Sequence, residues 1–494
     1  MDYKRSCQSR GRSREKDGQM NVVKRIARNT LSLAAAYVFS QIITLILSIF
    51  LARFLGEEKY GTYVFAFAIT GLIFVIADFG LNGLLIVEVS KNRSIAPRYM
   101  PTTLLLRSLL GFICLLISLA AVLIASYPKD TAFVIMIVAM TSFFGNLTAV
   151  FFGMFNAFER MHLNLLVQII ERSFTVTIVI AMLFSGFGLT EIIVVIFAGS
   201  ILSFSIAYLI FSKSITKPIW EFSIGDAIAQ FKRATHFATS SILLTLLYTV
   251  NTVLVQIWGG NIAAAYYGVA YNLAIPLSLL HTFFLGAIMP LTSQTYEQSI
   301  EKLKMIQQKA MKFLFFFGLP MTVGGFIVGG DIVTLLYGEN FAPAILPFQI
   351  LILVVAVKYF CGNIANVLAS ANLMRLNAYS AAAGTVVNIG LCGILIPFYG
   401  PAGGAAAFLL ANVVMGFMSL RFMTSRLFSV DYKDIALKTV VTSIALAIFL
   451  LIVKSYLNVI LTIVAGTIFY ITIGLIIGTF DKGDRDILFR LVRE

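Results

Sequence analysis

Residues 189–212, LTEIIVVIFAGSILSFSIAYLIFS, carry one charged side chain, Glu191, in twenty-four positions and run up against Lys213. As an α-helix rising about 1.5 Å per residue the stretch is roughly 36 Å long, enough to cross a bilayer hydrocarbon core of about 30 Å. A helix apolar on every side belongs in a large protein core or in lipid. The same pattern recurs along the chain. Apolar stretches bounded by charges, Gly or Pro fall at 30–52, 60–86, 101–126, 131–157, 162–186, 189–212, 237–259, 262–292, 308–329, 344–370, 375–396, 401–423, 437–456 and 458–480. They predict an all-α polytopic membrane protein of about fourteen transmembrane helices. Composition agrees: of 494 residues, 59% are hydrophobic and 12% charged, where a soluble domain carries about 25% charged residues.

The formal charge of +14 would raise nucleic-acid binding in a soluble chain; here it follows topology. Thirty of the 37 Lys and Arg fall on one face of the predicted topology, nine of them in residues 1–28, while Arg53, Lys59, Lys129 and Lys454 lie on the other. The positive-inside rule then places both termini in the cytoplasm of a multi-pass plasma or inner-membrane protein, with no nucleic-acid partner expected. The basic segment 1–28 has no apolar core of its own, so it reads as a disordered tail and not a cleaved signal. Cys7, Cys114, Cys361 and Cys392 are scattered without CxxC spacing, which points to small hydrophobes and to neither disulfides nor a metal site.

The segments FERMHLN (158–164) and ANLMRLN (371–377) share Met161/Met374, Leu163/Leu376 and Asn164/Asn377 at an offset of 213. LFSGFGL (183–189) aligns with LIPFYGP (395–401), and Tyr60-Gly61 with Tyr267-Gly268. The order of these matches predicts a duplication of six helices. Because six is even, the copies share one orientation and are related by a pseudo-two-fold along the membrane normal. The expected organisation is a basic tail (1–28), an N-lobe (29–212), a cytoplasmic linker (213–236), a C-lobe (237–424), two appended helices (425–480) and a C-terminal tail (481–494). The run DAIAQFKR (226–233) suggests a short amphipathic helix at the interface. Residues 330–347 read as the longest outer loop, apolar enough to lie on the membrane.

In a bilayer the informative residues are charges within spans, which cost about 2.5–3.5 kcal/mol at the centre and face protein interiors or aqueous cavities. Arg172 lies ten residues into its span and Lys358 is equally deep in another, one in each expected lobe. Two cations at one depth suit an anionic substrate such as a pyrophosphate, with Arg supplying a bidentate fork and Lys a point charge. Arg107, six residues into its span, is a third candidate for the substrate cavity, with Glu171 or Asp78 as partner. Asp78 and Glu171 are candidates for ion coupling or for salt bridges; Glu171 adjoins Arg172 but points about 100° away on a helix, toward another helix. His281 reads as a core histidine, and Glu57-Glu58 as a solvated outer turn. Asn146, Gln168, Asn251, Asn272, Asn363 and Asn388 could bond sugars, or more simply other helices. No GxxxxGK[ST], HExxH or GxSxG motif occurs in a usable context, so no catalytic residue, cofactor or metal is expected.

Several strings resemble the polysaccharide biosynthesis/export family, the Wzx-type flippases of O-antigen units, within the superfamily that also holds MATE drug exporters and lipid II flippases. They are LARFLGEEKYGTY (51–63), ADFGL (77–81) followed by Glu88, LYGENFAPA (336–344) followed by FQIL (348–351), and DRDIL (484–488). The resemblance implies a two-lobed flippase that moves polyprenyl-pyrophosphate-linked oligosaccharide from the cytoplasmic to the outer leaflet by alternating access. It implies as partners the lipid-linked substrate, membrane lipids, H+ or Na+ as coupling ion, and the glycosyltransferases and polymerase of the same pathway, around a monomer. The chain departs from lipid II flippases in having no basic residue between Arg28 and Arg53, which points away from lipid II as substrate. Two other functions compete. A MATE-like cation-coupled drug antiporter would want an acidic cavity. A membrane glycosyltransferase or polymerase would want a domain or acids on the active face, and the outer loops are short.

Overall fold

The computed structural model describes residues 2–221, 223–430 and 433–478, with side chains at most positions from Tyr37 onward; the tail 481–494 and its DRDIL string lie outside the described residues. The described residues form helices and turns with no strand. Ten helices are long and apolar enough to cross a membrane, and a shorter apolar helix spans Leu437–Val453. Three of the ten are double, each broken at one glycine: Gly56 within Tyr37–Asp78, Gly260 within Ile242–Gly286 and Gly400 within Met374–Arg426. Counted across those breaks the ten become thirteen, and Leu437–Val453 makes fourteen, as hydropathy predicts. Many large apolar side chains on these helices, such as Phe112, Leu123, Ile124 and Phe417, are exposed in the chain and so face lipid.

The breaks show why the sequence needs glycine there. Gly56 has φ 77°, ψ 175° and Gly260 has φ 78°, ψ −176°, a region closed to side chains at a cost of about 1–3 kcal/mol. The same corner thus follows the first helix of each predicted half. The 213-residue offset is reproduced in the backbone as well. Phe158 and Ala371 close their helices at φ −88°, ψ 3° and φ −86°, ψ 13°, and Glu159 and Asn372 follow in the left-handed region at φ 58° and φ 59°. Arg160 N donates to Phe155 O and Leu373 N to Leu368 O, both at 2.8 Å. The Asn164 amide donates to Asn156 Oδ1 and the Asn377 amide to the Ala365 carbonyl, both at 2.8 Å. One turn design is used twice.

Two compact units emerge, residues 1–47 with 73–241, and residues 48–72 with 242–494. The first is centred on Leu85, Met100, Phe151, Phe155, Val167 and Phe211, all buried. In the second, the helix Ile300–Tyr337 presents Gly318, Gly325 and Gly329 to Tyr359, Ile352 and Phe348 of Ile345–Ser370, an antiparallel series in which each glycine receives one side chain. Lipid is as apolar as leucine, so this close approach, and not water exclusion, holds such helices together.

Two local expectations are corrected. Residues 330–337 are not loop: the helix Ile300–Tyr337 continues through them, and only Gly338 and the 3-10 turn Glu339–Ala344 connect it onward. Its last carbonyls are capped by Arg53, whose Nε donates to Leu336 O at 2.7 Å and whose Nη2 contacts Leu335 O, a favourable cation at a helix C-terminus. The run 226–233 is helical but does not stand alone, since it opens the helix Ile224–Ala274. It packs within the first unit: Phe231 stacks on Phe79 at 4.7 Å, Gln230 accepts from Thr103 at 3.1 Å, and Arg233 pairs with Glu88.

Candidate functional site

Arg107 stands on the helix Ala96–Ala125 with its side chain only 3% exposed, and it pairs with Asp78, the last residue of the helix that Gly56 breaks. Its Nη1 also donates to the Asn146 carbonyl at 2.9 Å, on Lys129–Ala157. One guanidinium therefore ties three helices, and of the two partners the sequence offered, it takes Asp78. A buried cation demands such a partner, because leaving it alone costs about 3–5 kcal/mol.

Arg172 lies on His162–Phe184 with 37% of its side chain exposed, and its Nε is 3.3 Å from Glu171 Oε2. Helix geometry alone sends Glu171 elsewhere, and half of that expectation holds. Glu171 Oε1 lies beside Gly199 on Leu189–Ser214 and accepts from Thr175 at 3.4 Å. The correction is that Arg172 reaches back to its neighbour, which the length of an arginine side chain allows. The carboxylate ends between a cation and a hydroxyl.

Lys358 differs from both arginines. It is buried in the second unit, and no described carboxylate lies within ion-pairing distance. Its Nζ sits 4.4 Å from the centroid of the Tyr248 ring and 5.8 Å from that of Phe408, which are 5.8 Å from each other. Aromatic faces attract a cation without pairing with it as a carboxylate would. One turn on, the His281 ring covers Gly362, where a Cβ would stand 2.7 Å from its Cδ2, and His281 also packs against Tyr359. This is the core role expected of it. Neither aromatic neighbour of Lys358 was visible in the sequence, since both lie far away along the chain.

The amides mostly join helices. Asn251 and Asn388 bond each other in both directions, at 3.1 and 2.6 Å, and Asn251 also donates to Gly404 O at 2.9 Å. Asn272 donates to Tyr60, whose hydroxyl is 2.6 Å from Ser48 Oγ; Ser48 in turn is 2.9 Å from the Tyr337 hydroxyl. Asn363 donates to the Gln307 carbonyl at 3.3 Å. Glu57, expected to be merely solvated, accepts from the Tyr266 hydroxyl at 2.7 Å. Arg172 falls in the first compact unit and Lys358 in the second. No group of three or more potential metal ligands is found among the described residues.

The chain belongs to the polysaccharide biosynthesis protein family, whose model matches residues 26–296. No curated protein matches the sequence. Among solved structures it is similar to the lipid II flippase MurJ in an inward closed conformation, at 17% identity and TM-score 0.74, covering 92% of this chain and 99% of that one. It is similar to an inward-facing multidrug resistance MATE family transporter at 14% identity and TM-score 0.67, covering 81% and 98%. A MOP superfamily transporter from Pyrococcus furiosus matches at 16% identity and TM-score 0.59, covering 82% and 95%. These likenesses establish the fold as that of MOP-superfamily transporters, in a multi-pass membrane protein.

Proposed function

We propose that this protein moves polyprenyl-pyrophosphate-linked oligosaccharide from the cytoplasmic to the outer leaflet of a plasma or inner membrane by alternating access. The observation that carries the reading is Lys358, a cation buried within a span, steadied by Tyr248 and Phe408 and joined to no carboxylate among the described residues. A buried charge left unpaired is a site for a ligand of opposite sign. Family membership supplies the saccharide context. Lys358 takes the pyrophosphate, Arg172 is a second cation for the anionic substrate, and Arg107 ties its own helices together through Asp78.

The lobes of this reading are 29–212 and 237–424, joined by 213–236 and followed by two helices in 425–480, with both termini cytoplasmic. Glu171 is the carboxylate through which H+ or Na+ would couple, since only Arg172 and the Thr175 hydroxyl hold it and Arg172 is the more exposed of the ion pair. The second reading, a MATE-like cation antiporter, draws support from the fold. Its in-span acid candidates are engaged: Asp78 pairs with Arg107 and Glu171 with Arg172.

The test is translocation of a fluorescent polyprenyl-pyrophosphate saccharide in vesicles holding Lys358→Ala, Lys358→Arg and Arg172→Ala proteins of matched melting temperature. Lys358→Ala is expected to lose at least about ten-fold in rate, the size of one charge-assisted contact, with partial recovery in Lys358→Arg. Equal rates in all variants would remove Lys358 from the site.

A further inference from the structure

A second polar feature lies well away from Lys358. Where the helix Ile300–Tyr337 ends and a turn joins Leu437–Val453 to Val459–Ile476, a pocket of about 390 Å³ is lined by Asp331, Thr334, Glu339, Lys454, Asn458 and Thr462, with valine and leucine side chains between them. Its place at the ends of three membrane helices sets it at headgroup depth. Both carboxylates and the ammonium face this one pocket, yet no ion pair joins them among the described residues.

The other polar groups are already engaged. Thr334 donates to Gly330 O at 3.2 Å, Thr462 donates to Asn458 O at 2.9 Å, and Asn458 Oδ1 caps Leu461 N at 2.9 Å. Recognition is therefore left to the charges, and charges of both signs that share a pocket without touching fit a ligand that carries both signs. We propose that this pocket binds the headgroup of a bilayer phospholipid bearing a primary ammonium and a phosphate, such as phosphatidylethanolamine. The ammonium donates to Asp331 and Glu339, the phosphate meets Lys454, and the apolar lining receives the glycerol end. A trimethylammonium has no N–H to donate, and a glycerol headgroup has no cation, so phosphatidylcholine and phosphatidylglycerol should bind less well. The inference stands on this pocket alone and does not depend on the transported substrate.

The full-length protein is extracted from vesicles of equal phosphatidylethanolamine, phosphatidylcholine and phosphatidylglycerol content, and retained lipids are counted by native mass spectrometry. Phosphatidylethanolamine should be retained about ten-fold over either competitor, the worth of one charge-assisted hydrogen bond. Asp331→Asn with Glu339→Gln should abolish that preference, and Lys454→Met should weaken retention of phosphatidylethanolamine. Glu339 and Lys454 are exposed and Asp331 half-buried, so the variants should melt with wild type in phosphatidylcholine. Melting with added phosphoethanolamine, free in solution, separates the sources: a shift from the lipid alone supports the membrane ligand, and an equal shift from the soluble compound contradicts it. Equal retention of the three lipids, or a preference untouched by the substitutions, would overturn the proposal.

Discussion

Removing Asp78 should damage this protein more than removing the arginine it pairs with. Arg107 is 3% exposed and Asp78 29%, so Asp78→Ala strands a cation with no route to water, whereas Arg107→Ala leaves a carboxylate that can still hydrate. Breaking a buried pair so that its inaccessible partner is left alone costs about 3–5 kcal/mol. Unfolding entropy of about 2.1 cal/mol/K per residue gives roughly 0.4 kcal/mol/K for a cooperative unit of about 200 residues, so Asp78→Ala should lower Tm by about 7–12 °C. Arg107→Ala should lose less, and the double variant should recover much of the Asp78→Ala loss, because the stranded charge is gone. Thermal melting by intrinsic fluorescence in one detergent reads all three. A shift under about 2 °C for Asp78→Ala, or a double variant whose losses simply add, would refute the pair as a structural tie and return Asp78 to the candidates for ion coupling.

Other consequences follow from the same contacts. Gly318→Leu puts a side chain where Tyr359 already sits, with a Cβ 2.7 Å from its Cγ, and should cost about 1–3 kcal/mol in melting stability, where Gly71→Ala, in a helix with nothing within 4 Å, should cost nothing and gain up to about 1 kcal/mol. Asn251→Ala removes both bonds between the two amides and leaves Asn388 Nδ2 only the Leu247 carbonyl; it should cost about 1–3 kcal/mol, with Asn251→Ala/Asn388→Ala melting above the single variant. Tyr248→Phe should keep the translocation rate and Tyr248→Ala should lower it, since the ring face and not the hydroxyl meets Lys358.

Hydropathy revealed the number of spans because every one must be apolar for its whole length, and a single sequence shows that directly. The duplication was legible at Met161, Leu163 and Asn164 because the second copy kept the asparagine that reaches back across the turn, as Asn377 does. The glycine corners were less legible: Gly56 and Gly260 fall within runs whose polarity already suggested a turn, and only the backbone shows a shared conformation. The misread loop at 330–337 has a plain cause. Asp331 and Thr334 look like the edge of a span, but a helix can run past the hydrocarbon once its end is capped, and the cap is Arg53, nearly three hundred residues earlier. The charged candidates were found by their cost in lipid, which sequence reports. Asp78 was legible as a partner of Arg107, but the aromatic partners were not, because Tyr248, Phe408 and Tyr266 meet Lys358 and Glu57 only after the helices have packed.

The central claim is that this chain carries a lipid-linked, pyrophosphate-bearing saccharide across the bilayer. The most direct measurement places a fluorescent polyprenyl-pyrophosphate oligosaccharide in both leaflets of vesicles with and without the purified protein, and follows quenching by a membrane-impermeant reductant. The account predicts that protein-free vesicles and those holding Lys358→Ala protect half of the probe, while wild-type vesicles expose the remainder over time. Protection of half the probe in wild-type vesicles under every imposed ion gradient, together with gradient-driven efflux of a cationic dye, would contradict the account and establish the antiporter in its place.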